Sequence, residues 1–102
     1  MARIATPYRV EVTFKTSRNK NWVPMELLIH SDNADDGETA ELFVHDSFLP
    51  NRFTLLFSAG VARQTVTSWG RFTVGVWIPD RNVERELDLA LVRGAPEIIR
   101  TG

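Results

Sequence analysis

Hydrophobic and polar positions alternate along most of this chain, most clearly between residues 72 and 78. Every second residue there is large and apolar: Phe72, Val74, Val76 and Ile78. A period of two places successive side chains on opposite faces of a sheet, so this stretch is predicted to be a β-strand with one face in a core. The β-branched and aromatic residues that dominate it suit such a half-buried strand.

Six further stretches, several of them with the same period, are also predicted to be strands bounded by turn-forming residues. The seven predicted strands cover residues 8–15, 22–30, 40–45, 53–57, 62–67, 72–78 and 83–92. Turn signals that separate short strands about every 8–12 residues are typical of a β-sandwich. We therefore predict an all-β fold, an immunoglobulin-like antiparallel β-sandwich of about seven to eight short strands, with no helix.

Two of these strands contain residues that complicate the prediction. Pro24 stands near the start of the second strand. Because proline lacks an N–H donor, we expect that start to lie at a sheet edge or a bulge. Residues 83–92 are rich in good helix formers, so a helix competes with a strand there. The unbroken alternation and the turn signal at 79–82 favour the strand.

Length and composition indicate one soluble domain. The 102 residues, 43% of them hydrophobic and 25% charged, suffice for one core, so we predict a single domain over 1–102 with its core at about 8–96. The absence of cysteine excludes disulfides and thiolate chemistry. No apolar run approaches the roughly 20 residues of a membrane span. A cytoplasmic domain without a membrane partner is expected.

The charge pattern argues against direct nucleic-acid binding. The formal net charge is only -1, whereas nucleic-acid binders usually present a basic surface. Residues 1–25 are mainly basic and residues 32–41 are acidic. These segments are either solvated loops of opposite sign or a docking surface.

The sequence contains few residues that could form a catalytic centre. His30 and His45 are the two histidines, and no carboxylate lies at a recognisable metal-ligand spacing from either. Ser47 is not in a nucleophile elbow, and the glycines are too scattered for a phosphate-binding loop. We predict a non-enzymatic domain with no metal and no cofactor.

Two short segments at strand ends are the better candidates for function: His-Asp-Ser-Phe at 45–48 and Ser-Trp-Gly at 68–70. His45 falls on the face opposite Leu42 and Val44, so it is expected to point away from the core. Phe48 and Trp69 either cover the end of the core or form a surface pocket. Loops at the end of a sandwich are a usual place for this fold to bind a ligand.

These segments resemble the YEATS domain family, and in particular its prokaryotic branch. The family pattern has a strand ending in Leu-His-x-Ser/Thr-Phe, an aromatic-Gly loop that opens a strand, and a leucine-rich final strand. Here these motifs stand as Val-His-Asp-Ser-Phe at 44–48, Ser-Trp-Gly-Arg-Phe-Thr-Val-Gly at 68–75 and Glu-Leu-Asp-Leu-Ala at 86–90. Trp22 resembles the family tryptophan at the start of the second strand. The similarity extends over about 8–96.

The resemblance implies an immunoglobulin-type sandwich that reads acylated lysine between two aromatic rings. By motif, those rings are Phe48 and Trp69. His45 and Ser47 would shape the pocket and hydrogen-bond around the amide, and backbone groups near Ser68 and Gly70 would complete it. Acylation removes the lysine charge, so aromatic faces can hold the neutral planar amide without burying a cation. The prokaryotic family is associated with multi-domain defence and signalling proteins, as a recognition or adaptor module.

The chain departs from eukaryotic readers in two places. Their loop before the second strand often contains an aromatic residue and a histidine, whereas residues 17–21 read Ser-Arg-Asn-Lys-Asn. The cations of that loop would favour an acidic peptide or a carboxylate-bearing ligand. Ser68 also replaces the glycine that often flanks the family tryptophan, which would change the mouth of the pocket.

The leading hypothesis is a recognition module for an acylated peptide or a protein partner. A structural or adaptor domain, with a partner adding to a sheet edge, is the alternative. An enzyme with His45 as a base is a third hypothesis. A reader requires two accessible, roughly parallel rings about 7 Å apart, whereas a capping role predicts that both rings are buried. The sequence leaves the oligomeric state open.

Overall fold

The computed structural model describes residues 8–16, 18, 21–32, 34–45, 48 and 50–101. It has seven strands: β1 (Arg9–Phe14), β2 (Val23–His30), β3 (Thr39–Phe43), β4 (Arg52–Leu56), β5 (Val61–Ser68), β6 (Thr73–Ile78) and β7 (Val83–Asp88). They form two antiparallel sheets, with strand orders β1-β2-β5 and β4-β3-β6-β7. The predicted β-sandwich is confirmed.

The inward faces of the two sheets form one apolar core. Each of the predicted alternating stretches contributes to it, and the buried face of the β6 stretch is the one predicted, with Phe72 and Val74 among its members. Met25, Leu27 and Ile29 of β2 and Leu42 of β3 are fully buried. The two-residue period therefore specifies which side of each strand the core occupies.

Pro24 lies in the central strand of the three-stranded sheet, but at a local edge. Its carbonyl accepts a hydrogen bond from the Lys15 N–H at 2.8 Å, so its own missing donor faces the β1 side. The last strand pair of β1 with β2 is Phe14 with Met25, the residue that follows Pro24. Pro24 cannot return a hydrogen bond to Lys15, so the β1–β2 ladder ends at this point.

The C-terminal segment corrects two predictions. Residues 83–92 do not form one strand: β7 ends at Asp88, and Leu89–Leu91 form a 3-10 helix. The Asp88 carboxylate caps this helix by accepting from the Ala90 N–H at 2.9 Å. The turn lets Leu89 enter the core while Leu91 is 82% exposed, whereas a continuing strand would put both on one face.

A short helix that the alternation did not predict follows, α1 (Glu97–Thr101). Pro96 precedes it, and its carbonyl accepts hydrogen bonds from the N–H groups of Ile99 and Arg100. Ile99 is fully buried and adds to the core. Among the residues that the structure describes, no helix has the length and apolar character needed to cross a membrane.

A buried polar network ties together the end of the sandwich away from residues 45–48. The Tyr8 hydroxyl donates to Glu38 Oε2 at 2.5 Å, and Arg81 Nη2 donates to Glu38 Oε1 at 3.0 Å. Tyr8 and Glu38 are both buried. The network thus satisfies a buried carboxylate and joins the start of β1, the segment before β3 and the turn after β6.

This network predicts a loss of stability at high pH. Burial, together with the neighbouring Glu38, raises the pKa of Tyr8 from 10.0 to about 12. Because the folded pKa exceeds the unfolded one, the stabilisation is complete below the unfolded pKa and is lost as pH rises through the folded pKa. Tyr8 is the only tyrosine, so tyrosinate absorbance follows it directly. The native domain is expected to titrate above the urea-unfolded chain.

The matched variant is Tyr8→Phe, which keeps the ring and removes the titrating group. Its free energy of unfolding, measured by urea denaturation, should fall less than that of the parent protein as pH rises above about 10. Equal tyrosinate midpoints in the folded and unfolded chains would refute the buried hydrogen bond.

Candidate functional site

Four aromatic rings meet at the end of the sandwich where the β3–β4 loop approaches the β5–β6 turn. Trp69 stacks on Phe48 with ring centroids 5.6 Å apart and planes at 15°. The edge of Trp22 meets Trp69 at 5.6 Å and 77°, and Phe48 packs against Phe72 at 5.0 Å and 54°. Distant parts of the chain are therefore joined through one aromatic cluster.

The β3–β4 loop carries Phe48 to this cluster. Beyond the last β3–β4 pair, the Val44 N–H donates to the Asn51 carbonyl at 3.0 Å and closes the loop at its base. The Phe48 N–H donates to the His45 carbonyl at 2.9 Å, which holds these two residues close together. His45 is exposed and Phe48 is half-buried.

A side-chain hydrogen bond fixes the loop that presents Trp69. Ser68 is buried; its Oγ donates to the Gly70 carbonyl at 2.6 Å and accepts from the Gly70 N–H at 3.2 Å. Hydroxyls often stabilise turns in this way. The Ser68 hydroxyl is therefore engaged with the backbone of its own turn, and it positions Trp69.

The strand register brings Trp22 to the other side of Trp69. Val23 of β2 pairs with Ser68 of β5, so Trp22 and Trp69 are the next opposed residues beyond the ladder. Opposed residues of an antiparallel pair lie on the same face and close enough to interact. Trp22 is 43% exposed and Trp69 48% exposed, so the two tryptophans form an accessible aromatic rim.

A pocket of about 210 Å³ opens beside the Phe48–Trp69 pair. Its lining consists of His45, Phe48, Ser68, Trp69, Gly70, Arg71 and Phe72. The structure thus brings together five of the six residues predicted from the sequence. The sixth, Ser47, lies outside the described residues.

The geometry separates the core-capping ring from the exposed rings. Phe72 is 6% exposed and closes the core beneath Phe48, whereas Trp69 projects into solvent. The Phe48 and Trp69 rings are nearly parallel, as a reader requires, but their centroids are 5.6 Å apart rather than about 7 Å. The two rings are therefore in mutual contact, and the slot between them is closed.

The polar lining of the pocket carries basic groups. His45 and Arg71 are the titratable residues of the lining, and both are exposed. Among the described lining residues there is no carboxylate. Over the described part of the chain, no group of three or more metal-ligating side chains is placed to hold an ion. The site can offer ring faces, backbone amides and a cation to a ligand.

Three residues of this site were missing from the sequence-based set of binding residues. Phe72 had been assigned to the core by its alternation, and it serves both core and pocket. Arg71 lies within the motif at 68–75, but at a variable position to which no binding role was assigned. Trp22 had been noted only as a family-like tryptophan, and its contact with Trp69 depends on the β2–β5 register.

Comparison with known proteins adds an independent result. The model of the prokaryotic YEATS domain matches residues 25–90, about two thirds of the chain. This range includes His45, Phe48 and Trp69. Comparisons with curated proteins and with solved structures found no match. YEATS domains are reader modules that bind peptides or proteins. On the extent of the matched region, this chain belongs to the prokaryotic YEATS domain family.

Proposed function

We propose that this domain is a non-enzymatic recognition module that binds the side chain of an acylated lysine between Phe48 and Trp69. The observation that carries the proposal is a nearly parallel pair of rings outside the core, with 15° between their planes and Trp69 half exposed. Because Phe72 already closes the core, the outer pair is available for a ligand.

The acyl-amide suits this pair on physical grounds. Acylation converts a cationic ammonium into a neutral amide, so insertion between two rings no longer requires the desolvation of a charge. The planes of the rings are at most 5.6 Å apart, and a flat group between them needs about 7 Å. Binding must therefore separate the rings by at least roughly 1–2 Å.

Separation of the rings costs their mutual stacking, which is worth about 0.5–1.5 kcal/mol. Two new ring–amide contacts offset that loss. Trp69 keeps its edge contact with Trp22 on one side, and Phe48 keeps its contact with Phe72. Trp22 and Phe72 thus support the Phe48–Trp69 pair in the open state as well as in the closed one.

The polar groups of the site have separate roles in this proposal. His45 and Ser47 contact the amide of the ligand, and main-chain groups near Gly70 complete the pocket. Ser68 acts through Gly70, because its hydroxyl bonds to the backbone of that residue.

The partner in this proposal is an acylated peptide or an acylated protein. We further propose that the domain serves a prokaryotic defence or signalling protein in the cytoplasm. Membership of the prokaryotic YEATS family supports that setting.

Tryptophan fluorescence tests the proposal with three matched lysine peptides, which are acetylated, crotonylated or unmodified. Trp77 lies on the outer face of the second sheet, so a Trp77→Phe background leaves only the two tryptophans of the cluster to report. Stacking of an amide on Trp69 should change the emission saturably with both acylated peptides.

The unmodified peptide should give no saturable change. If none of the three peptides changes the tryptophan emission at millimolar concentration, the proposal is overturned. The domain would then be an adaptor that binds a partner along a sheet edge. An equal response to all three would also overturn it, because the pocket would then not detect the acyl group.

A further inference from the structure

A second concave surface lies on the outer face of the four-stranded sheet. This groove has a volume of about 580 Å³, and Phe43, Gly75 and Trp77 form its floor. Glu84 and Glu86 of the edge strand β7 form one of its walls. None of these residues belongs to the pocket beside Phe48 and Trp69.

The register of three strands assembles the groove in two rows. Gly75 is paired with Phe43 on one side and with Glu86 on the other. In the next row Trp77 is paired with Glu84. Paired residues share a face, so both aromatic side chains and both carboxylates project to the same side of the sheet.

Gly75 is responsible for the depth of the groove. A Cβ atom there would meet Phe43 Cβ at 3.6 Å and Cδ2 at 3.9 Å, which are ordinary contacts. Neither the backbone conformation nor crowding requires glycine at this position, although glycine weakens a strand interior. Its effect is to leave open space between Phe43 and the carboxylate wall.

The carboxylates of the wall differ from Glu41, which lies on the same face of the sheet. Glu41 accepts hydrogen bonds from Arg52 Nε at 2.9 Å and from the Thr54 hydroxyl. Within the part of the chain that the structure describes, Glu84 and Glu86 form no ion pair.

Arg85, between these two glutamates, also lines the groove, although its pairing with the buried Val76 places it on the inward face of the strand. Its Nη1 donates to the main-chain carbonyl of Glu84. The groove therefore combines an aromatic floor with two exposed carboxylates that lack a cationic partner within the described structure.

We propose that this groove binds an arginine side chain of a peptide, with the guanidinium over Gly75, against Phe43 and Trp77, and paired with Glu84 and Glu86. The Phe43 ring already accepts such a group within the chain, because Arg52 Cζ lies 5.4 Å from its centroid. A planar guanidinium stacks on rings and bonds to carboxylates through several donors, which a compact ammonium does less well. This site is separate from the acyl-lysine pocket and does not depend on it.

The test uses two pentapeptides of glycine with one central residue, arginine or its neutral isostere citrulline, neither containing lysine. In an amide NMR titration, the arginine peptide should shift the signals of Gly75, Glu84 and Glu86 and saturate in the millimolar range. Citrulline keeps the planar shape without the charge, so it should bind about five- to tenfold more weakly.

Two variants test the groove. Glu84→Gln/Glu86→Gln should weaken arginine binding about five- to tenfold, whereas Glu11→Gln/Glu97→Gln, with the same net charge, should bind like the parent protein. Gly75→Val fills the space with a residue that strands favour, so it should fold and lose binding. Equal shifts with arginine and citrulline, shifts elsewhere on the domain, or unaltered binding by Gly75→Val would overturn the proposal.

Discussion

Replacement of Trp69 with alanine is expected to weaken binding of a crotonyl-lysine peptide by at least about tenfold. Trp69 supplies one of the two ring faces, and loss of one aromatic contact at a binding site typically costs 1–2 kcal/mol or more. Because its side chain is 48% exposed, the free energy of unfolding should fall by only about 1 kcal/mol.

Calorimetric titration and urea denaturation of the same preparations separate the two effects. Trp22→Phe is the matched control, since it keeps a ring beside Trp69 and should change the affinity by less than about threefold. If Trp69→Ala binds as tightly as the parent protein while Trp22→Phe does not, the ligand lies on the outer rim, and Phe48 with Trp69 is the wrong pair.

Phe72→Ala, unlike Trp69→Ala, should act mainly on stability. The free energy of unfolding is expected to fall by about 3–5 kcal/mol. Phe72 is 6% exposed and packs beneath Phe48, so truncation leaves a cavity where the core meets the pocket. Domains of this size are stabilised by about 5–15 kcal/mol, so the variant would retain only part of the native stability.

Urea denaturation of Phe72→Ala and Phe43→Ala makes the comparison direct, because both remove the same side chain. Phe43 is 37% exposed on the outer face of β3, and its truncation should cost about 1 kcal/mol. Equal losses from the two variants would contradict the assignment of Phe72 to the core.

The fold was predictable because alternation fixes which face of each strand is buried. The stretch from 72 to 78 shows this, since its alternating positions Phe72, Val74, Val76 and Ile78 are all buried. Beyond Asp88 the period of two persists in the sequence, but a local hydrogen bond from Ala90 to the Asp88 carboxylate turns the chain instead. The alternating pattern stabilises a strand only where a neighbouring strand pairs with it. Here the local hydrogen bond to the Asp88 side chain determines the conformation instead.

The candidate site was predictable only in part. Phe48 and Trp69 could be named from short motifs, whereas the contact between Trp22 and Trp69 requires the β2–β5 register, which pairs residues far apart in the chain. The closed state of the Phe48–Trp69 pair depends in turn on how Phe72 and Trp22 pack around it. Tertiary packing of this kind leaves no periodic signal in the sequence.

The most direct measurement is a crystal structure of the domain with a crotonyl-lysine peptide. The reader proposal predicts the amide of the ligand between Phe48 and Trp69, with the ring centroids moved from 5.6 Å to about 7 Å and the planes still nearly parallel. A bound peptide elsewhere on the surface, with these two rings still in contact, would contradict it.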